Sequence, residues 1–320
     1  MNVIGKIHAY NARMDPYVHC THGFSLCGSD VFINHLEFYN RTRPSKSYSF
    51  SSSYFNNNNA ISKPGKGRFQ CGTRTVDFTL RRGKIVGGSE APYGAFPWQV
   101  EIQMLDPDKL TFDHHCGGAV IQERLVLSAA HCFDKIQDKH ENRFLVEKVV
   151  LHPEFRKNGP HSNDIALIVV ARSGSGVQFN SHVRPICLPD PEDTTGKWCA
   201  VSGWGYQAES TENFAPVLRA AAVPVLDLAT CRKEQVLGGR QQTILDSMIC
   251  AGILSGGVDA CRGDSGGPLA CVSGNRWQIH GVVSWGAGCA RRSRPGVYTR
   301  VASYLDWIKN TSANLGHSLV

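Results

Sequence analysis

From Ile85 onward the chain is written in short apolar and alternating runs: Trp98-Gln99-Val100-Glu101-Ile102, Leu125-Val126-Leu127, Ile165-Ala166-Leu167-Ile168-Val169-Val170 and Ile279-His280-Gly281-Val282-Val283. A period of two places successive side chains on opposite faces of an extended strand, and Gly and Pro interrupt the runs at short intervals. Such a texture predicts an antiparallel all-β barrel or sandwich. A parallel sheet would need a long helix between strands, and none alternates with these runs. Only the end, Val301 to Lys309, has apolar residues at helical spacing: Val301, Tyr304, Leu305 and Ile308.

The cysteines narrow the setting. Twelve of them, an even number, are more than a reducing cytosol usually tolerates, and none forms a paired C-x-x-C zinc knuckle. They read as disulfides of a secreted protein, and the triplets Asn40-Arg41-Thr42 and Asn310-Thr311-Ser312 are compatible with a glycoprotein. No apolar run of signal-peptide length follows Met1, which leaves open a fragment, a variant product lacking its true start or a faulty gene model. No stretch is long and apolar enough to span a membrane, so no membrane partner is expected.

Three segments follow from composition. Residues 1–39 carry one cysteine pair, Cys20 and Cys27, and too few apolar residues for a core of their own, as expected of a remnant of a larger disulfide module. Residues 40–84 form a pro-region linker, flexible where Ser51-Ser52-Ser53 and Asn56-Asn57-Asn58-Asn59 dominate. Residues 85–320 are the folded domain. The net charge of +7 resides in the front: residues 1–84 hold 12 Lys/Arg against 4 Asp/Glu, and the remainder 22 against 23. These charges are scattered without interleaved aromatic platforms, which fits a solvated linker and argues against nucleic acid.

Within 85–320, three separated segments carry chemistry: Leu127-Ser128-Ala129-Ala130-His131-Cys132, Asn163-Asp164-Ile165-Ala166-Leu167 and Gly263-Asp264-Ser265-Gly266-Gly267. In that order, His, Asp, Ser, the chain resembles the trypsin/chymotrypsin family of serine endopeptidases, from about Cys71 to Ile308. The resemblance implies two packed six-stranded antiparallel β-barrels with a C-terminal helix. It also implies that Ser265 attacks the peptide carbonyl, His131 moves the proton and Asp164 orients the imidazole. Backbone N–H groups of Gly263 and Ser265 would form the oxyanion hole. The Gly-x-Ser-x-Gly spacing also fits an α/β-hydrolase elbow, but that fold needs a parallel sheet and its Asp and His after the serine.

The same resemblance makes Lys84-Ile85-Val86-Gly87-Gly88 an activation site, so the chain as written is a zymogen. Cleavage after Lys84 would free the Ile85 amino group to pair with Asp264 and order the oxyanion loop. His114 matches the residue that holds this aspartate in some inactive relatives, with a His114/His115 metal pair as the alternative. The implied disulfides are Cys116–Cys132, Cys199–Cys271, Cys231–Cys250, Cys261–Cys289 and the tether Cys71–Cys187. Cys20 and Cys27 either pair locally or have lost a partner module.

Asp259 matches the pocket residue that selects cationic side chains, with Gly286 and Gly296 as small walls and Ser284-Trp285-Gly286 pairing with substrate backbone. Ala260 stands where a serine often helps bind an ammonium, so arginine is expected over lysine. Arg262 at the rim would favour acidic residues near the cut. The expected partners are protein substrates, an upstream activating protease and protein inhibitors, with no cofactor and no metal.

One departure stands out. His131 and Asp164 are closer in sequence than the family usually places them, so a strand of the first barrel and the loop that binds calcium in some relatives are missing; no calcium site is expected. Removing a strand exposes backbone and core. Either Arg143 to Val149 covers the gap or the product is unstable, and a protease-shaped regulator that binds without cutting is the alternative function.

Overall fold

The computed structural model describes residues 31–34, 69–80, 88–106, 108–134, 146–171, 177–237, 243–317 and 319, the first of these as backbone only. Lys84, Ile85, Cys20, Cys27, Asn40 and Arg143 lie outside the described residues.

Thirteen strands, two α-helices and two 3-10 turns account for the regular structure described. One antiparallel sheet contains β1 (Val31–Asn34), β3 (Gln99–Asp106), β4 (Thr111–Gln122), β5 (Leu125–Ser128), β6 (Val146–Leu151) and β7 (Ala166–Val170), in the order β1-β3-β4-β5-β7-β6. The other contains β2 (Ser89–Glu90), β8 (Trp198–Gly203), β9 (Arg219–Leu226), β10 (Met248–Ala251), β11 (Pro268–Ser273), β12 (Arg276–Trp285) and β13 (Gly296–Arg300). Its order is β10-β13-β12-β11-β8-β9-β2, and the additional pairing of β10 with β9 closes six of the strands into a barrel. All ladders between named strands are antiparallel, as the alternating runs predict. The elbow of an α/β-hydrolase, which joins a strand of a parallel sheet to a helix, has no counterpart among the described residues.

Buried apolar side chains form a cluster in each sheet, the first continuing into Ala270, Ile279 and Val282 of the second. Trp98, Ile102, Leu125, Leu127, Leu167 and Ile168 fill the first, and Val223, Ile249, Leu269 and Tyr298 the second. The end of the chain turns through a 3-10 turn at Val301–Tyr304 into α2 (Leu305–Asn314), following α1 (Leu228–Cys231). Val301, Tyr304 and Ile308 of this segment are buried on the first core, as their spacing predicts.

The shortened first barrel takes an unexpected form. Val146–Leu151 pairs with β7 and forms one edge of the sheet. The opposite edge, β3, does not stay open: it pairs with Val31–Asn34, in the register Val31 to Met104 through Asn34 to Glu101. A segment from the front of the chain, read from composition as too poor in apolar residues for a core, thus supplies the sixth strand. The expectation that Arg143 to Val149 alone would cover the gap did not anticipate this partner.

Among the described residues there are five disulfides: Cys71–Cys187, Cys116–Cys132, Cys199–Cys271, Cys231–Cys250 and Cys261–Cys289. Cys71–Cys187 joins residues 116 apart, and a loop of that order corresponds to about 5 kcal/mol of unfolded-state entropy in the chain-closure account. Around it the chain is bonded closely: Gly72 N donates to Pro185 O and Trp277 N donates to Gly72 O, at 2.8 and 2.9 Å. The Arg74 guanidinium lies 4.8 Å from the Trp277 ring. Residues 69–80 are therefore fastened to the body of the molecule independently of the peptide bond at Lys84.

Candidate active site

His131 sits in a 3-10 turn (Ala130–Cys132) directly after β5, braced by the Cys116–Cys132 bridge. Asp164 precedes β7, and because β5 and β7 pair side by side the two residues meet across the ladder. The Asp164 carboxylate, 0% exposed, accepts His131 N–H at 2.8 Å on Oδ1 and His131 Nδ1–H at 2.6 Å on Oδ2. Ser284 Oγ donates to the same Oδ2 at 2.6 Å, and Thr299 Oγ1 donates to the Asp164 carbonyl at 2.7 Å. Burial alone would raise the pKa of this carboxyl. The bonds from His131, its charge and the Ser284 hydroxyl outweigh burial and hold the pKa below the ordinary carboxylate value. With Nδ1–H committed to Asp164, Nε2 is the nitrogen left to take up a proton.

Ser265 lies in a tight loop that needs its glycines. Gly263 and Gly266 have φ of 92° and 79°, and a Cβ at Gly266 would collide with the Ser128 hydroxyl and the Gly117 carbonyl. The loop is seated on the first barrel by Gly117 N–H, which donates to Ser265 O at 2.7 Å. Thus β4 and β5 hold both the imidazole turn and the serine loop. Among the described residues no hydrogen bond joins Ser265 to His131, a contact that in free enzymes often tightens only with substrate.

Asp264 points away from Ser265 into the interior. Its carboxylate accepts Gly205 N–H and Cys261 N–H, each at 2.8 Å, and Gly203 and Gly205 leave it no room for a Cβ. Burial raises its pKa, against those two backbone donors and the charge of His114. His114, expected on resemblance to hold this aspartate, contacts other groups: Nδ1 lies 2.9 Å from Glu101 Oε1 and Nε2 lies 2.7 Å from Gly263 O. His115 bonds the Cys132 carbonyl at 2.7 Å through Nε2, so the two rings face different protein acceptors instead of a shared metal. Near His131, the sulfurs of Cys116 and Cys132 are spent on their disulfide and offer no thiolate.

Beside Ser265 opens a cavity of about 290 Å³ lined by Asp259, Ala260, Ser284, Trp285, Gly286 and Gly296, among others. Every residue expected to contact substrate therefore borders one space with the serine. A Cβ at Gly296 would lie 2.7 Å from Asp259 Oδ1, so the glycine gives the carboxylate its room. The Asp259 carboxylate accepts Ala260 N–H at 2.8 Å and Ala290 N–H at 3.4 Å. Its burial still outweighs these donors and, with the nearby Asp264 charge, pushes its pKa up to about 7.

Three features escaped the sequence. Glu209 and Arg291 form a two-point ion pair at the cavity rim, at 2.6 and 2.5 Å, between segments distant in the chain. Ser284, expected only to meet substrate, is also a donor to Asp164. Glu101 reads in sequence as one polar position of a strand, yet it is buried against His114. No local pattern marks any of these pairs, because each partner comes from another element.

The family model described as "Trypsin" matches residues 85–308. A relative named "Hepatocyte growth factor activator serine proteases", from Canis lupus familiaris, is 36% identical over 264 residues, covering 76% of this chain and 39% of its own length. Coagulation factor XI from Bos taurus is 35% identical over 257 residues, covering 74% of this chain and 39% of its own. The chain thus spans well under half the length of the relatives it matches. On the family match and these identities, the chain belongs to the trypsin family of serine proteases.

Proposed function

We propose that this protein is a secreted serine endopeptidase that cuts protein substrates after arginine in preference to lysine, once cleavage after Lys84 has freed Ile85. The observation that carries the reading is the single cavity in which a carboxylate, Asp259, and a candidate nucleophile, Ser265, face the same space. A guanidinium bound by Asp259 would present its peptide bond to Ser265. His131, held in one tautomer by Asp164, would accept the serine proton and return it to the leaving amine. Gly263 and Ser265 N–H groups would stabilise the oxyanion.

Arginine is favoured because Ala260 offers only a methyl group beside Asp259, so a short ammonium gains no hydroxyl partner, whereas a guanidinium reaches the carboxylate with two donors. Arg262 also lines the cavity, which would favour acidic residues near the scissile bond. The enclosed Asp264 carboxylate would receive the Ile85 ammonium after the cut. Cys71–Cys187 would keep the front segment attached, and the activating enzyme and natural inhibitors would be other proteins.

The test is cleavage after Lys84 followed by labelling with an organophosphonate bearing an arginine-like group. Labelling that vanishes in Ser265→Ala supports the proposal, and a correctly cut, folded domain that never labels supports a regulator that binds without cutting. Arginyl and lysyl amides assayed in parallel decide the preference; faster turnover of the lysyl substrate refutes it.

A further inference from the structure

Glu101 and His114 form a buried pair that the proposed reaction does not use directly, with side chains 10% and 6% exposed. Their meeting has a local cause. In the β3 and β4 ladder Ile102 faces Cys116 while Gln103 faces His114, so His115 is an extra residue in β4. A bulge of this kind re-aims neighbouring side chains. Here it turns the His114 ring between the Glu101 carboxylate and the Gly263 carbonyl.

Both ring nitrogens therefore face oxygens that accept. A neutral imidazole has one N–H and leaves one of these contacts without a proton, whereas the imidazolium donates to both. A protonated carboxyl beside a neutral ring would fit the same distances, but imidazole is the stronger base by about two pK units, so the proton belongs on the ring. The low exposure of both side chains limits the access of water to either bond. Phe214 lies tilted at 59° with its ring centroid 4.7 Å from that of His114, Trp204 lies 6.3 Å away, and Phe214 also packs where a Cβ of Gly263 would be.

The carbonyl that His114 holds belongs to the turn proposed to stabilise the oxyanion. Gly263 O is gripped by His114 and Ser265 O by Gly117 N–H, so β4 fastens the loop on both sides of Asp264. Fixing the Gly263 carbonyl fixes the turn from which the Gly263 N–H projects. We propose that Glu101 is a positioning residue that keeps His114 doubly protonated, so that its second N–H clamps the Gly263 carbonyl and holds the oxyanion loop in its working shape. The inference rests on the proposed reaction for its kinetic consequence, but the protonation of His114 stands apart from it.

The charged and titratable groups facing His114 are Glu101 on β3, Asp264 in the clamped loop and His115 beside it on β4. Burial lowers the pKa of His114, and the Glu101 bond and charge, the Gly263 carbonyl and the Asp264 charge more than reverse this, leaving it raised. A raised pKa means that the clamp is complete below it and is lost as pH rises through it. Removing the Glu101 charge moves that loss toward lower pH.

Glu101→Gln in the full chain, cut after Lys84, tests the inference. Nitrogen NMR of the His114 ring at pH 7 is expected to report two N–H groups in the parent and one in the variant. With arginyl amides, kcat is expected to fall tenfold to a hundredfold while KM and the affinity of benzamidine for the cavity stay unchanged. Glu101→Asp should restore part of kcat. A single N–H on His114 in the parent overturns the inference, as does an undiminished kcat in Glu101→Gln. If the parent itself shows no activity, the proposed reaction fails, whereas the NMR count still decides the state of His114 and needs no variant to fold.

Discussion

Asp259 makes a quantitative prediction that separates binding from turnover. In the empty cavity its carboxylate has a pKa of about 7, because burial outweighs the Ala290 and Ala260 N–H groups and the Asp264 charge adds to the effect. A cationic ligand binds only the ionised form, so its affinity is full above that pKa and falls tenfold for each pH unit below it. Between pH 8.5 and pH 5.5 the dissociation constant of benzamidine should therefore rise roughly 30-fold, about 2 kcal/mol. The assay is calorimetric titration of Ser265→Ala, cut after Lys84, in which no turnover can intrude. At pH 6 two buffers of different ionisation enthalpy should report close to one proton released per ligand bound. The sign for folding follows from the same shift. The folded state holds this proton more tightly than an unfolded chain with the ordinary value of 3.8, so the empty protein loses stability as pH rises between about 4 and about 7. Asp259→Asn should bind benzamidine weakly, with no dependence on pH. An affinity of the parent that stays flat from pH 5.5 to 8.5 would falsify the account, since it would mean that the carboxylate is ionised throughout.

Asp164→Asn should keep the fold, because an amide oxygen can still accept from the His131 backbone, but kcat on arginyl amides should drop roughly 10⁴-fold, the cost of the wrong tautomer in the template enzymes of this family. A loss under tenfold would contradict the assigned role. Gly205→Ala would place a methyl 2.5 Å from the Asp264 carboxyl and remove the space that encloses it. Phosphonate labelling should disappear while near-native disulfide pairing, read by mass mapping, persists; unimpaired labelling would show that the Asp264 enclosure is dispensable. A chain starting at Phe69 keeps the Cys71 tether and loses β1, a ladder of four residue pairs. At about 1 kcal/mol per backbone hydrogen bond, its unfolding free energy in urea should fall by about 2–4 kcal/mol, and an unchanged midpoint would mean that β3 needs no partner.

The readable and unreadable parts of this sequence divide along a physical line. Residues that face a hydrophobic core leave a periodic trace, which is why Leu125 to Leu127 and Ile165 to Val170 could be read as strands and Val301 to Ile308 as the docked end, although its first turn is 3-10. The strand Val31–Asn34 went unread, because three apolar residues in a row, Val31, Phe32 and Ile33, are too short a run to show a period, and their pairing with β3 is a contact between remote parts of the chain. The three segments bearing His131, Asp164 and Ser265 were visible because each carries its own short pattern. Their supports were not.

Trp98 to Ile102 explains the difference. Its alternation marks an antiparallel strand correctly, and the usual inference would send Gln99 and Glu101 to solvent. Instead all five residues are buried. The apolar set faces the first core, while Gln99 accepts from Ser202 Oγ of β8 at 2.7 Å and Glu101 bonds His114 beside the serine loop. The polar face of this strand thus lies in the buried seam between the barrels, where Gln99 and Glu101 are bonded by groups from other elements, as their burial demands. Asp164 with Ser284, and its carbonyl with Thr299, obey the same rule across the same seam. The seam combines these bonded polar groups with apolar contact, since Ala200, Ala270, Ile279 and Val282 of the second sheet belong to the same buried cluster as Trp98. A site built in such a seam is rigid enough to hold an imidazole and a serine loop in register, and it leaves in the sequence only the alternation of an ordinary strand.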